Sequence, residues 1–256
     1  MKNSGERVRF HARCMGMCPV AEVAFRRKNN LIHILETDAA ITLEKKSSCD
    51  EVCETSRAPK CNPNRMVKEY TRSAAGRGSC HPESVRPYPV LLNTVRYLLG
   101  LQKENVTVDW ATVYGFICDR LRAVRFDMTV QRMNVENSLS LLETMIPFYI
   151  STFYECERNP FPTYDRHLHM QQLKECFSLW RASVDRSTSV DIRIAICFLL
   201  WNALAVESLA LLHSWKVRLP IELSYFVEDV ILSIRMNNFV RFFRLLEKQA
   251  DPLISC

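Results

Sequence analysis

Residues 111–133 read ATVYGFICDRLRAVRFDMTVQRM, and the register of this stretch decides the fold. As a helix it would run roughly 35 Å at 1.5 Å per residue. At 100° per residue its apolar side chains fall on two opposite faces: Val113, Ile117, Leu121, Val124 and Met128 on one, Phe116, Ala123, Phe126 and Val130 on the other. A helix with two apolar faces needs two neighbours, which a stack of helical hairpins supplies and the rim of a simple bundle does not. The edges between the faces carry Arg122 with Thr129 on one side and Arg120, Asp127 and Gln131 on the other. With both faces packed, Arg120, Arg122 and Arg125 are expected to bind carboxylates and helix-end carbonyls rather than phosphate. Arg132 falls almost in line with the first stripe and is expected to be paired or to mark the helix end.

Downstream, apolar periodicity predicts helices over about 135–157, 164–184, 190–203, 205–215, 221–235 and 238–249. Pro160, Pro162 and Pro220 supply breaks, and Asn237-Asn238 the turn and cap of the last pair. Upstream, Pro19 suits the start of a basic helix reaching about Glu36, whose apolar positions Val23, Leu31 and Leu35 sit beside Arg26, Arg27 and Lys28, so that it is expected to lie on the surface. Residues 37–66 are polar and read as a loop or disordered insertion, and 67–76 as an ordered connector. A short apolar helix from about Val90 holds Leu91, Leu92, Val95, Tyr97 and Leu98. The predicted organisation is a basic segment and first helix at 1–36, the insertion at 37–66, a helical domain at 67–249 and a tail at 250–256. The fold class is all-α, stacked helical hairpins of the α-solenoid, PCI/TPR-like kind.

The composition agrees: of 256 residues 48% are hydrophobic and 24% charged, and 6 glycines are too few for a many-stranded sandwich or barrel. The net charge of +6 is concentrated in the first hundred residues. Arg7, Arg9, Arg13 and Lys28 are therefore the candidates for nucleic-acid contact, although a solvated basic surface is the simpler reading. The 11 cysteines follow an N-terminus with no apolar leader, so they are expected to be reduced thiols. Ile194 to Val206, interrupted by Asn202, is too short for the ~18–20 residues of a membrane span, and a soluble chain is expected. Cys49, Cys53, Cys61, Cys80 and His81 have irregular spacing, so neither a zinc site nor any other cofactor is expected. Nucleophile-elbow, zincin, phosphate-loop and dinucleotide motifs are all missing from the sequence, and a non-enzymatic protein is expected.

Four blocks occur in order: Cys14-x3-Cys18-Pro19-x2-Glu22-x3-Arg26; Val67-Lys68-Glu69-Tyr70-x-Arg72-Ser73; Arg86-Pro87; and Asp119-Arg120-x-Arg122-x2-Arg125-x-Asp127-x-Thr129-x-Gln131. Together they resemble the conserved region of the Sac-three/GANP family. The resemblance reaches Asn238-x2-Arg241-Phe242-Phe243, where the family has its terminal repeat. It implies a right-handed stack of helical hairpins without recognised catalytic residues. The family continues into a winged helix, of which this chain, stopping at Cys256, is expected to lack a complete copy. The chain looks most like the family's short members, which implies centrosome duplication, spindle assembly and mitotic progression at centrosome and spindle. The large members imply instead a nuclear mRNA-export platform for a PCI-domain protein and a small acidic protein, with RNA contact through the basic N-terminal third. In the last hairpin Leu223, Val227, Ile231 and Ile234 are expected to pack against Phe239, Phe242, Phe243 and Leu246. Phe226, Val230 and Leu245 then remain as an outward, partner-binding patch.

Overall fold

The computed structural model describes residues 11–37, 61–71, 81–102 and 108–255. It is all-α, and the chain divides into two compact units, 1–141 and 142–256. In the first unit α1 is Val20–Lys28, α2 Tyr88–Leu101 and α3 Trp110–Val130, and α4 begins at Val135. The boundary between the units falls within α4, which ends at Arg158.

Both faces of α3 are covered: Val113, Ile117, Leu121, Val124 and Met128 are buried, and so are Phe116 and Ala123 on the opposite side. Asp109 caps its start by accepting from the Thr112 N–H at 3.0 Å, and α2 packs along it. Arg132 ends it in the left-handed region at φ 46°. The first helix is shorter than expected. It stops at Lys28 because Asn29 caps it and Asn30 turns left-handed at φ 54°, and a 3-10 turn, Ile34–Glu36, follows separately. Among its basic residues Arg26 is buried, as is Leu35 of the following turn, while Phe25 and Leu31 face solvent. Residues 11–36 are built into the same unit as 67–71. Most of the 37–66 segment lies outside the described residues; where it re-enters, Thr37 and Cys61 form an antiparallel bridge.

In the second unit α5 is Arg166–Val184, α6 Ile192–Trp201, α7 Ser208–Trp215, α8 Ile221–Arg235, α9 Phe239–Glu247 and α10 Pro252–Ser255. These spans follow the predicted ones closely because each start is written in a cap: Asp165, Asp191 and Asn238 accept from the third N–H of α5, α6 and α9. Pro220 starts α8, and Asn237 at φ 55° turns the α8–α9 hairpin. Around α8 pack α6, α7 and α9, and α10 closes onto α6. The core is aromatic. Trp180 lies 5.9 Å from Trp215 and 5.6 Å from Phe198, and its indole N–H donates to Glu143 at 3.1 Å.

His169 is buried among Tyr149, Phe153 and Tyr164, its Nε2 2.8 Å from the Tyr149 carbonyl oxygen. Burial holds its pKa below the ordinary histidine value, against the pull of that hydrogen bond. The unfolded chain then binds a proton near pH ~6.5 that the folded chain refuses, so this contribution is intact above that pH and is lost as pH falls toward the folded pKa. His169→Gln, which keeps a donor for Tyr149, should flatten the pH dependence of urea unfolding between about pH 7.5 and 5.5. The slope removed should be up to about 1.4 kcal/mol per pH unit; identical wild-type and variant profiles would refute this role.

Candidate functional site

The four sequence blocks converge in the first unit on a buried network of charges. Residues 67–70 run through it outside any helix and with no strand beside them among the described residues, and each of their N–H groups finds a different acceptor. Val67 donates to Glu36 at 3.1 Å, Lys68 to the Met17 carbonyl at 3.1 Å, Glu69 to Glu22 at 2.8 Å and Tyr70 to Asp119 at 3.2 Å. Such a segment, buried away from water, needs these partners, and here side-chain carboxylates stand in for a sheet.

Two carboxylates are the nodes. Glu36 is fully buried; it pairs with Arg26, accepts from the His33 N–H at 3.2 Å and lies 3.5 Å from Arg120. Arg26 extends the node to the Leu31 and Val67 carbonyls at 3.1 and 3.2 Å and to Glu69 at 3.2 Å. Arg120 closes it through Glu69 at 2.9 Å and Asp119 at 2.6 Å, with its guanidinium 4.5 Å from the Phe116 ring centre. The second node is Asp127, also fully buried, held by Lys68 at 2.5 Å and Arg86 Nε at 2.7 Å. Lys68 donates onward to the Ser84 carbonyl at 2.6 Å, and Arg86 to that of Met17 at 3.1 Å. Gln131 completes the set by donating to the Arg86 carbonyl at 2.8 Å.

Nearly every motif residue singled out from sequence thus lands in one place. Pro19 caps α1, and Cys18 is buried beside Glu22. Arg125 is buried, whereas Arg122, expected to bind a carboxylate or a helix-end carbonyl, stacks over Tyr70 at 4.0 Å and makes no ion pair among the described residues. Arg72 lies outside the described residues. Glu36 was missed, because one glutamate after Ile34-Leu35 looks like a solvated helix end; the only local signal is the His33-x2-Glu36 capping box.

The arrangement is a clamp without the marks of a reactive centre. Burial pushes the Cys14 and Cys18 thiols up, the opposite of what a nucleophilic thiolate requires. Glu22 is also raised by burial, which outweighs the Glu69 N–H and Arg26. Among the described residues no group of three or more His, Cys, Asp or Glu side chains could hold a metal; Cys49, Cys53 and Cys80 lie outside them. Of the nucleic-acid candidates, Arg7 and Arg9 lie outside the described residues, Lys28 is exposed, and Arg13 is exposed 3.7 Å from Glu83.

The proposed outward patch needs correction. Val230 is a core residue, because its side of α8 faces inward, and Phe226 and Leu245 are half-buried on the flanks. Phe239 and Phe243, expected inside, are exposed together with Val240; Phe242 and Leu246 alone of that stripe turn inward.

Residues 17–256 match the SAC3/GANP family. The chain belongs to that family. It is 29% identical to SAC3 family protein B of Arabidopsis thaliana over 95% of the chain and 14% of that protein. To SAC3 family protein 1 of Schizosaccharomyces pombe it is 29% identical over 61% of the chain and 14% of that protein. Protein xmas of Drosophila melanogaster is 23% identical over 95% of the chain and 12% of its own length. The chain therefore spans about a seventh of these SAC3/GANP relatives.

Removing Asp127 strands Arg86 and Lys68 in the interior, so Asp127→Ala should lower unfolding free energy by about 3–5 kcal/mol. Arg122→Ala, losing only a half-buried stack on Tyr70, should cost about 1 kcal/mol. Urea titration of the two variants checks the ranking; equal losses would contradict the assignment.

Proposed function

We propose that this chain is a non-catalytic helical scaffold for protein partners, acting in centrosome duplication, spindle assembly and mitotic progression as the family's short members do. Membership of a scaffold family supports the first part. The observation that carries it is the use made of the motif's cations: Arg26, Arg86, Arg120 and Lys68 are buried against Glu36, Glu69, Asp119 and Asp127. Guanidinium groups committed in this way are not available to phosphate, so the motif holds the fold in shape and leaves recognition to the surface. The cellular setting, at centrosome and spindle rather than at a nuclear export platform with a PCI-domain partner, follows the resemblance alone.

Affinity purification of the tagged chain from synchronised dividing cells, with imaging of the same cells, tests both levels. Spindle and centrosome proteins, recovered chiefly in mitosis, are the expected outcome. Recovery of mRNA-export factors with nuclear location throughout the cycle would replace the mitotic setting while keeping the scaffold. Sub-micromolar RNA binding at physiological salt, lost with Arg13 and Lys28 and steep in salt, would overturn the protein-only reading.

A further inference from the structure

The α8–α9 hairpin presents charge and apolar surface in an order complementary to itself. Along α8, Ile221, Tyr225 and Leu232, with Met236 just after it, face solvent; along α9, Phe239, Val240 and Phe243 do the same. These seven residues are 38–77% exposed and, as two rows together, leave roughly 900 Å² in water, close to the ~800 Å² each partner brings to a stable interface.

Charge separates the two apolar rows. Arg241 of α9 pairs with Asp229 of α8 at 2.8 Å, which fixes the facing edges of the two helices. At 100° per residue Glu222 lies beside Asp229 on the α8 edge, and Lys248 and Arg244 follow Arg241 on the α9 edge. Across the hairpin the outward surface therefore reads apolar, acidic, basic, apolar, with the exposed Glu247 set within the α9 apolar row between Phe243 and Val240. Glu222, Arg244 and Lys248 make no ion pair among the described residues.

We propose that this surface binds a second copy of the chain about a two-fold axis running along the seam. Such an axis lays α8 of one copy over α9 of the other. The acidic edge then meets the basic edge and one apolar row meets the other, each contact made twice, as an isologous interface requires. An acidic partner or an anionic lipid surface would satisfy Arg244 and Lys248 but face the Glu222 edge with like charge. Self-association goes beyond the scaffold reading and fails separately from it, since a monomer could still recover spindle proteins.

Sedimentation of the whole chain from about 1 to 100 µM tests the proposal, with helicity followed by circular dichroism. Wild type should dimerise, Glu222→Lys and the double variant Arg244→Glu/Lys248→Glu should each weaken dimerisation at least tenfold, and an equimolar mixture of the two should restore it. Phe243→Ser should weaken it without loss of helix. A wild type that is monomeric throughout, a dimer indifferent to the charge changes, or a mixture that fails to recover would each overturn it. So would a monomer that instead floats with phosphatidylserine vesicles.

Discussion

The first unit depends on the satisfaction of four consecutive N–H groups, from Val67 to Tyr70, in a segment with no strand beside it among the described residues. Each orphaned N–H would cost about 1–3 kcal/mol, so acceptors are obligatory. Three of the four are carboxylates, and a carboxylate in the interior needs a cation. Arg26 follows from Glu36 and Glu22 in that sense and Arg120 from Asp119, whereas Asp127, held by Lys68 and Arg86, accepts the Arg86 N–H instead. Part of the motif's charge is thus the consequence of threading residues 67–70 through a helical protein.

Burying so many ions adds little net stability, since desolvation offsets most of the attraction. What it enforces is register. Lys68 reaches Asp127 and Glu69 reaches Arg26 and Arg120, so a slip of one residue in one direction would set the lysine toward the guanidinium groups, and a slip in the other would set the glutamate toward Asp127. Like charges brought together in this way disfavour the alternative more than the native pairs favour themselves. A clamp of that kind holds α1, the 67–70 segment, the 82–86 turn and α3 in one arrangement.

The second unit is built differently. Its interior is the ring cluster of Trp180, Phe198 and Trp215, and its charges are spent at edges, as in Arg193 with Asp251 at 2.6 Å or Arg241 with Asp229. Apolar packing is tolerant of register, which leaves α9 free to keep Phe242 and Leu246 inward while Phe239 and Phe243 face water. A rigid ionic clamp in one unit and a permissive apolar stack in the other suit a protein that must hold a shape and present a surface.

By itself the sequence determined the long helices of the second unit and their starts, because periodicity, prolines and capping Asp and Asn residues act locally: Asp165, Asp191, Asn238 and Pro220 each wrote a boundary that the fold keeps. It also determined that α3 is covered on both sides. Only the tertiary structure decided which edge of a wide apolar arc turns inward. Phe239 and Phe242 are equally apolar, and nothing within α9 distinguishes core from surface until α8 is in place. The same holds for Arg26 and Glu36, which look like solvated helix residues in sequence and become the buried node only when 67–70 and Arg120 arrive. Long-range partners choose between faces that local chemistry leaves equivalent, and a charge can be buried only after its counter-charge has been brought to it.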